Sequence, residues 1–372
     1  MWRLDANQPR VGEILQSKWQ LQEPVKQGEH RSTEVIGGIE ALLSQDMNVI
    51  KALMKHRSSH VLQLQGLGRR QKRYKWMATE LGGTSLMRLQ KTLPGQRFST
   101  RTALFLAYMT LEAIEHVHKV GYGSSDVFLY VHRNITPGHF LIGKPPFVRR
   151  LYIVSFCNAR KYWGSDDKHL PERRRIAFKS TQRYASPNAL RLKDQSRRDD
   201  LISWFFMVVE FFNGCLPWTT EEVDFRKPVF AVQYEQMLKV MAEEREKFIS
   251  VELTQLIGGA PVQLYSIINY LTTLKFDDNP CYAVLRNLLF EACCERVQDH
   301  AQILDYETPE MVEARQLQPS VEETFTSRSL STSPSILDLF EKEETGNDGA
   351  GAQLHSERNE GKKHMGAKSK KQ

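Results

Sequence analysis

Residues 131–139 read Val-His-Arg-Asn-Ile-Thr-Pro-Gly-His, and an apolar Phe-Leu-Ile-Gly run follows at 140–143. The preceding segment, 101–121, places Leu104, Ala107 and Leu111 on one helical face, which predicts an amphipathic helix. A later segment, 200–212, is apolar nearly all round and predicts a helix buried in the middle of a large domain.

The loop at 131–139 resembles the catalytic loop of protein kinases, which reads His-Arg-Asp, four residues, then Asn. Further blocks extend the resemblance in the right order over residues 11–305: 79–83 resembles the hinge between lobes, 178–189 the end of the activation segment, and 198–218 the central helix and its following turn. The chain is similar to the casein kinase I superfamily, and most closely to its tau-tubulin kinase-like branch. That resemblance implies an α+β, two-lobed fold, with a small β-rich N-lobe at 19–78, whose third strand is expected to be truncated, and a larger helical C-lobe at 84–305.

The chain departs from this family at four positions of the catalytic machinery. Asn134 stands in place of the catalytic Asp, Thr136 in place of a Lys, His139 in place of the magnesium-binding Asn, and Ser155 in place of the magnesium-binding Asp. An amide is not a general base, and neither serine nor imidazole is a ligand that magnesium favours. We therefore expect no metal site and no useful phosphoryl transfer.

The chain also lacks most of the family residues that bind the nucleotide. The segment that aligns with the Gly-rich loop keeps only Gly28, and no lysine occurs between 27 and 50 to grip a phosphate. Arg31 or Lys26 could replace that lysine, which is the alternative reading. The resemblance implies that the vestiges of a nucleotide site are Gly28, Arg31, Glu80 and Leu81. We expect no cofactor. If Arg31 or Lys26 does replace the lysine, the expected cofactor is ATP with magnesium.

Other family residues are retained, and the resemblance implies that they pack the interior. These structural residues are His132, Arg133, Phe156, Asp200 and Ile50. Ile50 lies four positions after Asp46, which aligns with the acidic residue of the N-lobe helix.

Two basic residues form a candidate anion site. Arg183 matches a family arginine that binds anions, and Lys179 lies nearby, with more arginines at 173–175. A guanidinium fork suits phosphate, but a structural ion pair explains Arg183 equally well. A second basic cluster, at 69–75, is predicted to lie on a turn between the strands Val61–Leu64 and Tyr74–Met77; nucleic-acid binding is not expected, because aromatic stacking residues are not interleaved with it.

The flanking sequence sets the predicted domain limits. Residues 1–18 form a polar leader, 19–305 the kinase-like domain, and 306–372 a disordered Ser/Thr-rich tail with a basic C-terminus. Residues 123–130 look inserted before the catalytic loop. Five cysteines without a pairing pattern indicate reduced thiols and a cytoplasmic or nuclear location, and the absence of a long apolar run argues against membrane insertion.

These features favour a pseudokinase that acts by binding a protein partner, with a phosphorylated or acidic segment as its target. The alternative is a weak, atypical serine/threonine kinase that uses ATP. A nucleic-acid-associated basic protein is a third and weaker reading of the net charge of +7.

Overall fold

The structure is a computed structural model that describes part of the chain. The described residues are 14–15, 19–20, 35–36, 40–70, 74–119, 129–174, 176–218, 231–296 and 303–316. The chain divides into two units, 1–319 and 320–372, and the second lies outside the described residues. Gly28 and Arg31 also lie outside them.

The N-terminal part is built from short antiparallel strands and one helix. Its elements are β1 (Ile14–Leu15), β2 (Trp19–Gln20), β3 (Val35–Ile36), α1 (Glu40–Lys55), β4 (Leu64–Arg70) and β5 (Tyr74–Thr79). Strands β3, β5 and β4 form one antiparallel sheet in that order, and β1 pairs with β2. The apolar stripe of α1 packs against β5.

The first strand of the β4–β5 hairpin differs from the prediction. It begins at Leu64, not at Val61, and runs through Gly66 and Gly68 to Arg70. Glycine is depleted in strands, so the sequence pattern favoured the apolar run before it. Glycine is required at position 68 because of a contact with β5: a Cβ there would come within 2.7 Å of the Trp76 ring. Strands β4 and β5 pair as far as Arg70 and Tyr74, and residues 71–73 of the predicted turn lie outside the described residues.

The larger part is mainly helical. Its helices are α2 (Leu86–Thr92), α3 (Thr100–Lys119), α4 (Pro187–Leu190), α5 (Arg197–Asn213), α6 (Ala231–Ser250), α7 (Leu253–Ile257), α8 (Gln263–Thr273), α9 (Tyr282–Arg296) and α10 (Pro309–Gln316). Two short antiparallel pairs complete it: β6 (Tyr130–Val131) with β9 (Arg160–Lys161), and β7 (Phe140–Ile142) with β8 (Leu151–Ile153).

Helix α5 lies in the interior of this part. Every residue from Asp199 to Phe211 is buried, as its all-round apolar pattern predicts. At the start of the helix the backbone N–H of Ser196 donates to the Asp199 carboxylate (2.9 Å), and Gly214, with φ +77°, ends the helix in the left-handed conformation that glycine adopts readily. Helix α3 packs against both α5 and α9. The predicted α+β class, with a small β-rich part and a larger helical part, is confirmed.

Three predicted boundaries need adjustment. Strand β1 lies within the predicted leader 1–18. Leu129 and Tyr130, at the end of the predicted insert, are buried, and Tyr130 begins β6. Ordered structure also continues past 305, because Glu307 is buried against Arg149 and α10 follows it. The sequence pattern missed this because Glu307 is held by a partner 158 residues away. The tail from 317 lies outside the described residues.

None of the helices in the described ranges combines the length and the apolar character that a membrane crossing requires. All five cysteines are free thiols.

Candidate functional site

Asp200, in the first turn of α5, holds the start of the loop at 132–139 through hydrogen bonds. Its carboxylate accepts hydrogen bonds from the backbone N–H groups of His132 (2.6 Å) and Arg133 (2.7 Å). It also lies 2.9 Å from Nε2 of His118, whose Nδ1 faces the hydroxyl of Tyr282. Burial lowers the pKa of His118, so the neutral ring donates Nε2–H to the carboxylate and accepts from the tyrosine. Asp200 therefore acts as a buried structural anchor.

His118 and Tyr282 were missed from the sequence. They belong to α3 and α9, and they meet only because those helices pack together. The one available signal was a histidine at the end of an amphipathic helix, which does not by itself indicate a partner.

Of the five retained residues predicted to pack the interior, four are buried and Arg133 is half-buried. The His132 and Phe156 rings meet edge to face, with centroids 5.4 Å apart, and both side chains are fully buried. Burial lowers the pKa of His132 to about 4, so its ring is neutral at neutral pH. Ile50 is buried on α1, which packs against the turn that contains Phe156. Arg133 has φ +66°, and its Nε donates to the carbonyl of Asn158 (2.7 Å).

Asn134 is engaged with the segment that carries Thr181. Its Oδ1 accepts from the backbone N–H (2.8 Å) and the hydroxyl (2.9 Å) of Thr181. Its main-chain carbonyl accepts from Nδ1 of His139 (2.8 Å). Because a carbonyl can only accept, that nitrogen carries a proton. Asn134 thus joins two segments of the loop region, and its amide oxygen cannot take a proton from a hydroxyl.

The replaced positions Thr136 and Ser155 carry hydroxyl groups. Thr136 is buried. Ser155 has φ +71°, in the left-handed region, and its hydroxyl lies 3.9 Å from the Cys157 sulfur. The next residue, Phe156, donates its backbone N–H to Oδ1 of Asp46.

Magnesium does not fit this loop. The side chains at its three acid–base positions offer an amide, an imidazole and a hydroxyl, whereas magnesium is bound mainly through carboxylates. The two carboxylates that contact this region, Asp46 and Asp200, each accept backbone N–H groups. Within the described ranges, the one cluster of three potential metal ligands lies elsewhere, at His60, Glu112 and His116.

The hinge residues are placed at the end of β5. Glu80 is linked to Gln63 twice: its N–H donates to the Gln63 carbonyl (2.8 Å), and its Oε1 accepts from the Gln63 N–H (2.9 Å). Leu81 is half-buried. The carboxylate of Glu80 is thus used in holding the strand ends together.

Arg183 is held in an ion pair, which is the alternative to anion binding weighed from the sequence. Its Nε donates to Glu210 Oε1 (2.7 Å), and an Nη atom contacts the same oxygen. The Tyr184 hydroxyl donates to the other oxygen of Glu210. Glu210 is buried in α5, so Arg183 compensates a charge that would otherwise lack a partner. The structure thus places Arg183 in a structural ion pair, and Lys179 is exposed.

A cleft of about 510 Å³ lies beside this segment. It is lined by Glu172, Arg173, Arg174, Arg191, Leu192, Lys193 and Glu235. Four of these residues are cationic and two are acidic, so the lining carries a net positive charge.

The comparisons with known proteins agree with this geometry. The family model described as the protein kinase domain matches residues 26–320. Serine/threonine-protein kinase spe-6 of Caenorhabditis elegans is 30% identical over 242 residues, which cover 65% of this chain and 59% of that protein. A probable serine/threonine-protein kinase of Dictyostelium discoideum is 31% identical over 217 residues, which cover 58% of this chain and 39% of that protein. The chain thus matches less than two thirds of the length of either relative. With its helical core, its anchored loop and a match over most of its length, this chain belongs to the protein kinase domain family.

Proposed function

We propose that this protein is a pseudokinase: a kinase fold that binds a protein partner and does not transfer phosphate. The observation that carries the proposal is Asn134, whose side-chain oxygen at the catalytic position accepts two hydrogen bonds from Thr181. The loop keeps its shape through that contact and through Asp200, and the side chain at the catalytic position has no group able to accept a proton from a substrate hydroxyl.

Two losses act together here. Removing a general base alone lowers a rate by about 10²–10⁴-fold. Losing the magnesium ligands at Ser155 and His139 removes the electrostatic stabilisation of the phosphates as well. Such losses do not simply add, but each affects a different requirement of the reaction.

We further propose that the chain belongs to the casein kinase I superfamily and to its tau-tubulin kinase-like branch. The support is the sequence of the blocks 178–189 and 198–218, which the structure places next to each other through Ser186 and Asp199. A cytoplasmic or nuclear location stays a prediction from the cysteine content.

The first test measures nucleotide binding and phosphate transfer by the full chain. We expect ATP with magnesium to leave the melting temperature unchanged, because the fold lacks the carboxylates that hold the metal. We also expect no labelled phosphate to enter casein or tubulin.

The matched control is the triple variant Asn134→Asp, His139→Asn, Ser155→Asp, which restores the family residue types. A magnesium-dependent rise in this variant alone would show that those three side chains are the cause. A rise of several degrees in the parent chain, with phosphate transfer that is lost on changing Arg31 or Lys26, would contradict the proposal.

The second candidate function, a weak atypical serine/threonine kinase, rests on the relatives. Both are named serine/threonine-protein kinases and share 30–31% identity with this chain. The nucleotide experiment separates the two candidates directly.

For the partner, we propose that an acidic or phosphorylated protein segment binds the cationic cleft beside α4. Two of its four cations already have carboxylate partners. Arg173 makes a bidentate pair with Asp194, with both contacts at 3.0 Å, and Arg191 pairs with Glu246.

Arg174 and Lys193 differ from those two cations. Both are exposed, and neither contacts a carboxylate within the described part of the chain. Their charges are therefore available to an incoming anion, and an arginine can bind a phosphate through two N–H groups.

This placement predicts the effect of removing the two charges. Arg174→Ala with Lys193→Ala should weaken binding of a phosphorylated, acidic peptide by roughly tenfold for each charge, since about 1.4 kcal/mol corresponds to a factor of ten. Fluorescence anisotropy at two salt concentrations measures the loss and its screening. Lys51→Ala with Lys91→Ala is the control, since both lysines are exposed and outside the cleft lining. Equal losses in the two double variants would indicate non-specific attraction to a basic protein.

A further inference from the structure

We propose that His60, Glu112 and His116 form a binding site for a transition-metal ion of the zinc type, separate from the degenerate loop. His60 lies between α1 and β4, while Glu112 and His116 are four residues apart on α3. One ligand atom of each residue lies within 4.8 Å of the others. Residues four apart on a helix share a face, so α3 presents two ligands towards the loop that supplies the third.

The two imidazoles are oriented by outer partners. Nδ1 of His60 lies 2.8 Å from the carbonyl of Leu151, which can only accept, so the lone pair of this ring is on Nε2. That Nε2 lies 3.6 Å from Oε2 of Glu112. Nδ1 of His116 lies 3.0 Å from Oγ of Ser58, and the same hydroxyl oxygen accepts from the His60 N–H (3.3 Å). Metal-binding histidines characteristically use their second nitrogen in this way.

The three donor groups suit a divalent cation by type. A metal-bound imidazole is neutral and a metal-bound glutamate is a carboxylate, so the three ligands together would carry a single negative charge. The nearby cations Arg286 and Lys119 (2.6 Å) are both paired with Glu115.

This donor set selects among metals. Two imidazole nitrogens with one carboxylate oxygen match sites for zinc and similar ions, in which three protein ligands leave a fourth position for water. Zinc–ligand distances of about 2.0–2.1 Å require the donor atoms to approach to about 3.4 Å. The movement needed is available on the α3 side, because Glu112 is 22% exposed while His60 is 5% exposed.

A metal here would have a structural consequence. It would join the segment after α1 to the middle of α3, and it would fix His60 against Leu151 at the end of the β7–β8 pair. The competing explanation is an ordinary ion pair between His60 and Glu112. A metal site requires His116 and binds zinc, whereas an ion pair requires neither.

The experiment uses the full chain, reduced and stripped of metal with a chelator. Titration with zinc is expected to show one equivalent bound, and cobalt in its place should give the visible absorption of a four-coordinate site. Glu112→Gln and His116→Gln should each weaken binding by at least tenfold, and Ser58→Ala by about tenfold, because outer partners typically contribute 10–100-fold. His56→Gln is the matched control, being a histidine of the same segment outside the cluster.

The outcomes are decisive in both directions. Cobalt absorption without a sulfur charge-transfer band, together with loss of binding in the Glu112 and His116 variants, supports the site; circular dichroism of each variant verifies that it is folded. A sulfur band would assign binding to cysteines and overturn the proposal. Zinc affinity that is equal in the parent and in the Glu112→Gln, His116→Gln double variant would mean an adventitious ion only. Magnesium should not compete at similar concentrations, and equal competition would also contradict the assignment.

Discussion

Asp200→Ala is expected to lower the free energy of unfolding by about 3–5 kcal/mol, because it leaves several buried donors without an acceptor. The carboxylate, 1% exposed, accepts from the backbone N–H groups of His132 and Arg133 and from the ring of His118. Each buried donor that loses its partner costs about 1–3 kcal/mol. A loss of this size removes much of the stability of an ordinary domain. Urea unfolding followed by circular dichroism measures it.

The control for this prediction is Asp166→Ala, which removes an exposed carboxylate from the same fold. Its effect should stay within about 0.5 kcal/mol. If Asp200→Ala were as mild as Asp166→Ala, the loop at 132–139 would have to keep its shape by other contacts, and the anchoring role assigned to Asp200 would be wrong.

Asp46→Asn should stabilise this protein at neutral pH. Burial raises the pKa of Asp46 to about 6, even though the Phe156 N–H favours the charged form. Asp46 is 8% exposed, and that N–H group donates a hydrogen bond to its carboxylate. An asparagine can keep this hydrogen bond through Oδ1 without placing a buried negative charge.

The pH dependence follows from the direction of the shift. Because the folded state holds the proton more tightly than the unfolded state, Asp46 stabilises the fold at low pH, below about 4. That contribution is lost as the pH rises through about 6. The stability of Asp46→Asn relative to the parent should therefore increase by about 1–1.5 kcal/mol between about pH 5 and about pH 7.5.

Parallel urea titrations of the two proteins at several pH values test this, with Asp166→Asn as the control for a generic change of charge. A variant that is less stable than the parent at neutral pH would show that the ionised carboxylate is stabilised by a cation. That result would indicate that a basic residue replaces the missing phosphate-binding lysine, and it would favour the active-kinase alternative.

The helical architecture was largely predictable from residue patterns. Residues 101–121 had the periodicity of an amphipathic helix and 200–212 the all-round apolar character of a buried one, and the structure has α3 and α5 in these segments. Burial of apolar faces drives those elements together, so local pattern and tertiary role agree. The strand at 64–70 was misplaced because its glycines make room for Trp76, which no local pattern encodes.

The sequence alone determined which chemical groups this protein lacks. Asn134 and Ser155 can serve neither as a general base nor as a magnesium carboxylate wherever they lie, and the imidazole of His139 is not a ligand that magnesium favours, because protonation and ligand chemistry depend on residue type. The tertiary structure decided what the remaining polar groups do. It paired Arg183 with Glu210 across 27 residues and Asp200 with His118 across 82, and it gathered His60 with Glu112 and His116. Such partners are far apart in the chain, and burial makes them necessary only after the helices have packed, so no local sequence pattern specifies them.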